Sequence, residues 1–266
     1  MSLSKKSFIC WLNLYSWPVH YMKRIINFLL VVSLIVVFGA NTKAQTEGVQ
    51  TNSFWPADDN FPGKGPLQKA DWFRKLWQQR RGQWQKDVQK DQNAIAFVGD
   101  SITQGWNLQE YFPGFKVANR GISGDTTRQL RYRFKEDVIS IKPSAIVLLI
   151  GTNDLGLGGT PEDAADNISA ILSLIKTELP GTPVVVCKVM PRHPEFAEKV
   201  KKLNELVDKL VQGEPKFIRC DTYSIFANEN GVPSKDEFPD LLHPNAKGYA
   251  KWRDALLPIF EKLNLR

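Results

Sequence analysis

The chain has 266 residues, 35 Lys/Arg against 28 Asp/Glu and a formal net charge of +7. Five of the bases (Lys5, Lys6, Lys23, Arg24, Lys43) fall in residues 1–44, which hold no acid, so the remainder carries 30 bases against 28 acids, a net of +2. A body that close to neutral gives no support to nucleic-acid binding, and its two cysteines, Cys10 lying in residues 1–44, offer neither a disulfide scaffold nor zinc-ligand spacing.

Met22-Lys23-Arg24 opens a basic stretch, Ile25 to Ala40 is almost wholly apolar, and small residues at Thr42 and Ala44 precede Gln45. Basic, then apolar, then small is the order of a secretory signal peptide. Cleavage after Ala44 is expected, and with it export to the periplasm or the outside. The apolar run is shorter than the roughly 20 residues of a membrane span, so no stable span is expected in the mature chain, and an uncleaved N-terminal anchor is the rival reading. Residues 1–21 are odd ahead of such a signal, and Met22 is an alternative start. What remains suffices for one well-buried α/β domain.

From Gln45 to Gly65 the chain is punctuated by Pro and Gly without periodicity and reads as an extended arm. Between Leu67 and Val88 the residues Trp72, Phe73, Leu76, Trp77, Trp84 and Val88 recur near helical spacing. Its three tryptophans suit sugar stacking or, more simply, a helix with its aromatics turned to the core. Residues 45–93 are thus an arm and a Trp-rich helix ahead of a domain spanning 94–266.

In that domain apolar runs alternate with amphipathic stretches. Strands are expected at Ala94–Val98, Phe115–Ala118, Ala145–Ile150, Val184–Val189 and Phe217–Cys220, and helices at Leu108–Tyr111, Thr127–Val138, Pro161–Thr177, Phe196–Gln212 and Asn245–Leu263. Such alternation means βαβ units and a five-stranded parallel sheet in a three-layer, flavodoxin-like α/β fold. Cys187 and Cys220 sit in or at the end of strands and read as structural thiols.

Parallel sheets collect functional groups on the loops leaving the carboxyl ends of their strands. The first strand runs into Gly99-Asp100-Ser101, where a serine at a strand-to-helix turn lies near unpaired backbone N–H groups. A capped turn accounts for the same letters. After the second strand come Asn119-Arg120-Gly121-Ile122-Ser123-Gly124-Asp125-Thr126, with Asp125 or Thr126 as a helix cap. After the third comes Gly151-Thr152-Asn153-Asp154, where Asn153 supplies a neutral donor suited to a developing negative charge, or simply makes a turn. The last loop carries Asp240-Leu241-Leu242-His243-Pro244. Outside the presequence only His193 and His243 remain, and only His243 has a carboxylate three residues before it, able to fix its tautomer. His193, among prolines, reads as a loop residue near the rim. Trp106, five residues past the serine, reads either as a substrate-binding aromatic or as a core ring.

The four blocks GDS, NRGISGDT, GTND and DLLH, in that order, resemble those of the GDSL/SGNH hydrolases, with GDSI standing where the family has GDSL. The resemblance runs from about Ala94 to the C-terminus and leaves residues 45–93 outside it. It implies Ser101 as nucleophile and His243 with Asp240 as base. It further implies oxyanion donors from the N–H groups of Ser101 and Gly124 and the side chain of Asn153, with no metal and no organic cofactor. Within the family, NRGISGDTTRQL and LLHPNAKGYAKW are similar to the platelet-activating-factor acetylhydrolase catalytic subunits and to bacterial carbohydrate acetylesterases. An exported serine esterase acting on small acyl esters, acetyl first among them, of a sugar or oligosaccharide is therefore expected. The alternatives are a short-chain or lysophospholipid esterase and, from another class, a flavodoxin-like binding module. The last would need a phosphate loop after the first strand, where no Gly-x-x-x-x-Gly-Lys motif occurs.

Overall fold

In the computed structural model, which describes residues 53–265, five apolar runs pair into one parallel sheet. They are β1 (Ile95–Gly99), β2 (Val117–Gly121), β3 (Ala145–Leu149), β4 (Val184–Cys187) and β5 (Phe217–Cys220), in the order β2-β1-β3-β4-β5. The expected presequence, residues 1–44, and the start of the arm lie outside the described residues. Helices α1 (Asp71–Asp87), α2 (Ser101–Gln104), α3 (Leu108–Tyr111), α4 (Thr127–Asp137), α5 (Thr152–Gly156), α6 (Pro161–Glu178), α7 (Ala197–Val211) and α8 (Ala246–Lys262) connect or flank the strands.

Both faces of the sheet are covered, which is why its central strands are unbroken apolar runs. Side chains alternate along a strand, so odd and even positions build two separate cores. Ala96, Val98, Ile146, Leu148, Val184 and Val186 pack with Leu130 and Phe134 of α4, Ile168 and Ile171 of α6 and Leu203 of α7. Ile95, Phe97, Val147, Leu149 and Val185 pack with Phe112 and with Trp252, Leu256 and Phe260 of α8. Fully burying one such side chain is worth about 1.5–3 kcal/mol, so these layers dominate stability. The result is the three-layer α/β arrangement the alternation predicts. Cys187 and Cys220 face each other in register across β4 and β5 as buried, free thiols.

The second strand departs from expectation, running Val117–Gly121 rather than Phe115–Ala118. Asn119 and Arg120, read as loop, continue it because their polar groups find partners. Buried Arg120 donates to the Asp137 carbonyl at 2.8 Å and pairs with Asp91 at 2.8 Å. Asn119 Nδ2 donates to the Thr103 carbonyl at 2.7 Å, which ties the end of β2 to α2.

The Trp-rich helix starts at Asp71 rather than Leu67. Gln129 engages the backbone of Gln68 on both sides, accepting its N–H at 2.9 Å and donating to its carbonyl at 3.1 Å, so that stretch stays extended. Phe73, Trp77 and Trp84 form the inward stripe of α1 and join Phe61 and Ile122 in a third cluster. Trp84 lies among guanidinium groups, with those of Arg80, Arg120 and Arg133 at 4.9, 5.2 and 5.3 Å from its ring. Arg81, wholly buried, pairs with Asp137 at 2.9 Å and with Glu136. Hence α1 is fastened to β2 and α4 by charge as well as by rings. Trp72 breaks the inward pattern and remains half exposed.

Candidate active site

The strand order reverses at β1, whose neighbours β2 and β3 deliver their loops to the same rim. Ser101 is the first residue of α2, directly after β1. Asp100 caps that helix, its Oδ1 accepting the Ile102 N–H at 3.0 Å. His243 arrives from the opposite edge of the sheet, carried back by the long connection after β5. Buried Phe226 and Phe238 anchor that connection, and Asn245, the cap of α8, closes it by donating to the Asp236 carbonyl at 2.7 Å.

These two elements meet. Nε2 of His243 lies 2.9 Å from Ser101 Oγ, and Nδ1 lies 2.7 Å from Asp240 Oδ2. Asp240 Oδ1 accepts the backbone N–H groups of Leu242 at 3.0 Å and His243 at 2.7 Å. This side-chain-to-backbone turn bends the loop and puts Leu241 in the left-handed region, φ 54°. Partial burial pushes the Asp240 carboxyl up. The His243 N–H, the imidazole contact and the Leu242 N–H outweigh it and hold the group at about 2. An ionised carboxylate on Nδ1 leaves Nε2 as the acceptor for the serine proton.

The donors lie on neighbouring loops. Gly124 has φ +85°, a conformation that favours glycine, and neither its N–H nor that of Ser101 has an acceptor among the described residues. Asn153 stands in the first turn of α5, not in a plain turn, and donates through Nδ2 to the Asp125 carbonyl at 3.0 Å. One amide hydrogen is thereby fixed and the second left uncommitted. Thr126, not Asp125, caps α4, while Asp125 pairs with buried Arg133 at 2.8 Å.

Three residues that support this rim carried no signal of their own in the sequence. Arg192 is almost wholly buried and donates to the carbonyl and hydroxyl of Thr152 at 2.7 and 3.1 Å, holding the start of α5. Asp154 accepts the N–H and hydroxyl of Thr127 at 2.9 and 2.6 Å, joining the second and third loops. Asp100 is fully buried, and its Oδ2 lacks a hydrogen-bond partner among the described residues. Burial raises its carboxyl to about 7 against the Ile102 N–H, with nearby Asp125 and Asp154 adding to the rise and Arg192 opposing it. Each is a polar residue in a loop by sequence, and only its tertiary neighbours mark it out.

Trp106 corrects the expectation of a substrate-binding aromatic. It is 2% exposed and stacks on Trp252 and Tyr249, with ring centroids 4.3 and 5.3 Å apart, so its faces are occupied by core rings. The ring of His193 makes no hydrogen bond among the described residues. No group of three or more potential metal ligands occurs among them, and no helix there is long and apolar enough to cross a membrane.

The chain is similar in sequence and in fold to known acylhydrolases. The model of the GDSL-like lipase/acylhydrolase family matches residues 97–251, more than half of the chain. The human platelet-activating factor acetylhydrolase IB subunit alpha2 is 31% identical over 185 residues, covering 66% of this chain and 79% of the relative. An acylhydrolase structure from Bacteroides fragilis superposes with a TM-score of 0.64 at 26% identity, covering 74% of this chain and all of that one. The acetylxylan esterase Axe2 of Geobacillus stearothermophilus shares the fold, with a TM-score of 0.52 at 18% identity over 65% of this chain and 95% of its own.

Proposed function

The chain belongs to the GDSL-like lipase/acylhydrolase family and is a carboxylic ester hydrolase, and from that premise we propose that it is an exported acetylesterase of carbohydrates whose nucleophile is Ser101. The observation that carries the nucleophile is the continuous contact from Ser101 Oγ through His243 to Asp240 at 2.9 and 2.7 Å. His243 takes the hydroxyl proton as Oγ attacks the ester carbonyl. The N–H groups of Ser101 and Gly124 and the amide of Asn153 receive the charge that develops on the carbonyl oxygen. Collapse expels the alcohol with the proton from His243. Water, deprotonated by the same ring, then frees the acid and restores the serine. Family membership as a hydrolase removes the non-catalytic binding module considered from sequence.

A sugar-borne acetyl group is favoured by the signal-like segment ending at Ala44 and by the fold shared with the Geobacillus acetylxylan esterase. The second reading, a short-chain or lysophospholipid esterase, is favoured by the 31% identity to the platelet-activating factor acetylhydrolase subunits. Purified protein should label with a fluorophosphonate probe, and Ser101→Ala should neither label nor hydrolyse esters above background; labelling of Ser101→Ala ends the assignment. Acid release from acetylated xylan, acetylated monosaccharides and lysophosphatidylcholine separates the two substrate classes. Export is tested by the N-terminus of the protein recovered outside the cytoplasm, expected at Gln45.

A further inference from the structure

Two large apolar side chains stand out in solvent among the described residues, Trp72 at 52% and Leu157 at 43% exposure. Single exposed apolar residues are common and mean little by themselves. Here each adjoins one of the oxyanion donors. Leu157 caps the C-terminus of α5 one turn after Asn153, its N–H donating to the Asn153 carbonyl at 2.9 Å. Trp72 abuts Gly124 so closely that a Cβ added there would meet Trp72 Cη2 at 2.8 Å.

The position of Trp72 is built. It falls one residue before Phe73 on α1, off the stripe of Phe73, Trp77 and Trp84, so its ring points sideways toward the loop after β2. The segment leading into it is fastened to the same rim. Arg128 donates to the Gly65 carbonyl at 3.1 Å, Thr126 to that of Pro66 at 3.2 Å, and Asn167 to that of Lys64 at 2.8 Å. Among the described residues, the ring of Phe73, at 5.8 Å edge to face, is the one aromatic ring that packs on the Trp72 ring.

We infer that Trp72 is the platform on which the sugar ring of the alcohol moiety stacks while its acetyl ester occupies the Ser101 site. This rests on the carbohydrate reading above and names the residue that would enforce it. An acetyl group is too small to cover an indole face, so the moiety on the ring belongs to the alcohol side. The surroundings suit a neutral, hydroxyl-bearing ring. The side chain of Gln68 has its Cγ 3.5 Å from that same Cβ position; its Oε1 accepts the Ala70 N–H at 3.1 Å, which leaves the neutral Nε2 donor uncommitted among the described residues. Of the cations within three residues of Trp72, Lys69 and Arg74 are engaged with Asp59, at 2.9 and 3.1 Å, and Lys75 is exposed without an ion pair among the described residues. An aromatic face beside an uncharged amide recognises apolar C–H surface and hydroxyls together.

The test compares wild type, Trp72→Ala and Trp72→Phe on acetylated xylo-oligosaccharide and on ethyl acetate, which has no ring to stack. Trp72→Ala should raise KM for the oligosaccharide about tenfold, the factor that corresponds to about 1.4 kcal/mol, with kcat nearly unchanged and ethyl acetate turnover intact. Trp72→Phe should recover most of the loss. Equal KM values for wild type and Trp72→Ala on the oligosaccharide overturn the platform while leaving the carbohydrate reading standing. A parallel loss on ethyl acetate overturns it as well, since the ring would then serve the fold of the rim. Wild type that cleaves ethyl acetate and no sugar ester removes the carbohydrate reading and this platform with it.

Discussion

Asn153→Ala removes two things at once, and the structure separates their sizes. One is the bond from Nδ2 to the Asp125 carbonyl at 3.0 Å, a neutral hydrogen bond of half-buried groups, worth about 1 kcal/mol. In a domain of this size that lowers Tm by about 2–4 °C. The other is the uncommitted amide hydrogen, whose loss as an oxyanion donor costs about 10²–10³ in kcat, or about 2.7–4 kcal/mol. The loop itself should survive. Arg192 holds Thr152 at 2.7 and 3.1 Å, and Asp154 holds Thr127 at 2.9 and 2.6 Å, both without Asn153. The assay is kcat and KM on 4-nitrophenyl acetate, with thermal unfolding of the same preparation. A fall of about 100-fold or more in kcat with little change in KM is expected, because the donor acts mainly on the charge of the transition state. A kcat within about threefold of wild type, in protein that has lost only a few degrees of Tm, refutes the role given to Asn153.

Acidity offers a second test. Burial raises the Asp100 carboxyl to about 7 from 3.8, so the folded protein keeps a proton that the unfolded chain releases. That stability is fully present below the unfolded value and is lost as pH rises through about 7, and burial of Asp154, at about 6, acts in the same direction. Tm should therefore fall between about pH 4 and 7, and Asp100→Asn, which keeps an acceptor for the Ile102 N–H, should flatten the fall; an unchanged slope counts against it. Arg133→Met should cost about 3–5 kcal/mol in urea unfolding, because it leaves Asp125 buried without its cation, while Asp137 keeps Arg81 at 2.9 Å. A loss under about 1 kcal/mol would mean the Asp125 carboxyl is not charged in the folded state.

Much of this architecture is legible in the letters. β3 and β5 and the bodies of α4, α6, α7 and α8 coincide with the apolar runs and helical stripes, because a buried element must repeat its apolar residues at its own period. β2 was hidden for the opposite reason. Asn119 and Arg120 look like loop, yet α2, Asp137 and Asp91 supply their polar partners from elsewhere in the chain. The tryptophans were equally opaque. Trp106, beside the serine, is enclosed by α8, whereas Trp72, in the stretch read as an inward-facing helix, stands in solvent beside Gly124.

Read alone, the chain determined the α/β class, the number of strands and the four polar blocks that follow strands one, two, three and five, because periodicity and punctuation are local. It also held Asp240 and His243 three residues apart, near enough for a bent loop to join them. Only the tertiary structure decided that His243, 142 residues beyond Ser101, comes to 2.9 Å from it, and which charges lie buried behind them. Such contacts depend on where a long connection returns across the sheet and which polar groups it leaves dry, and neither is written into the spacing of residues along one element.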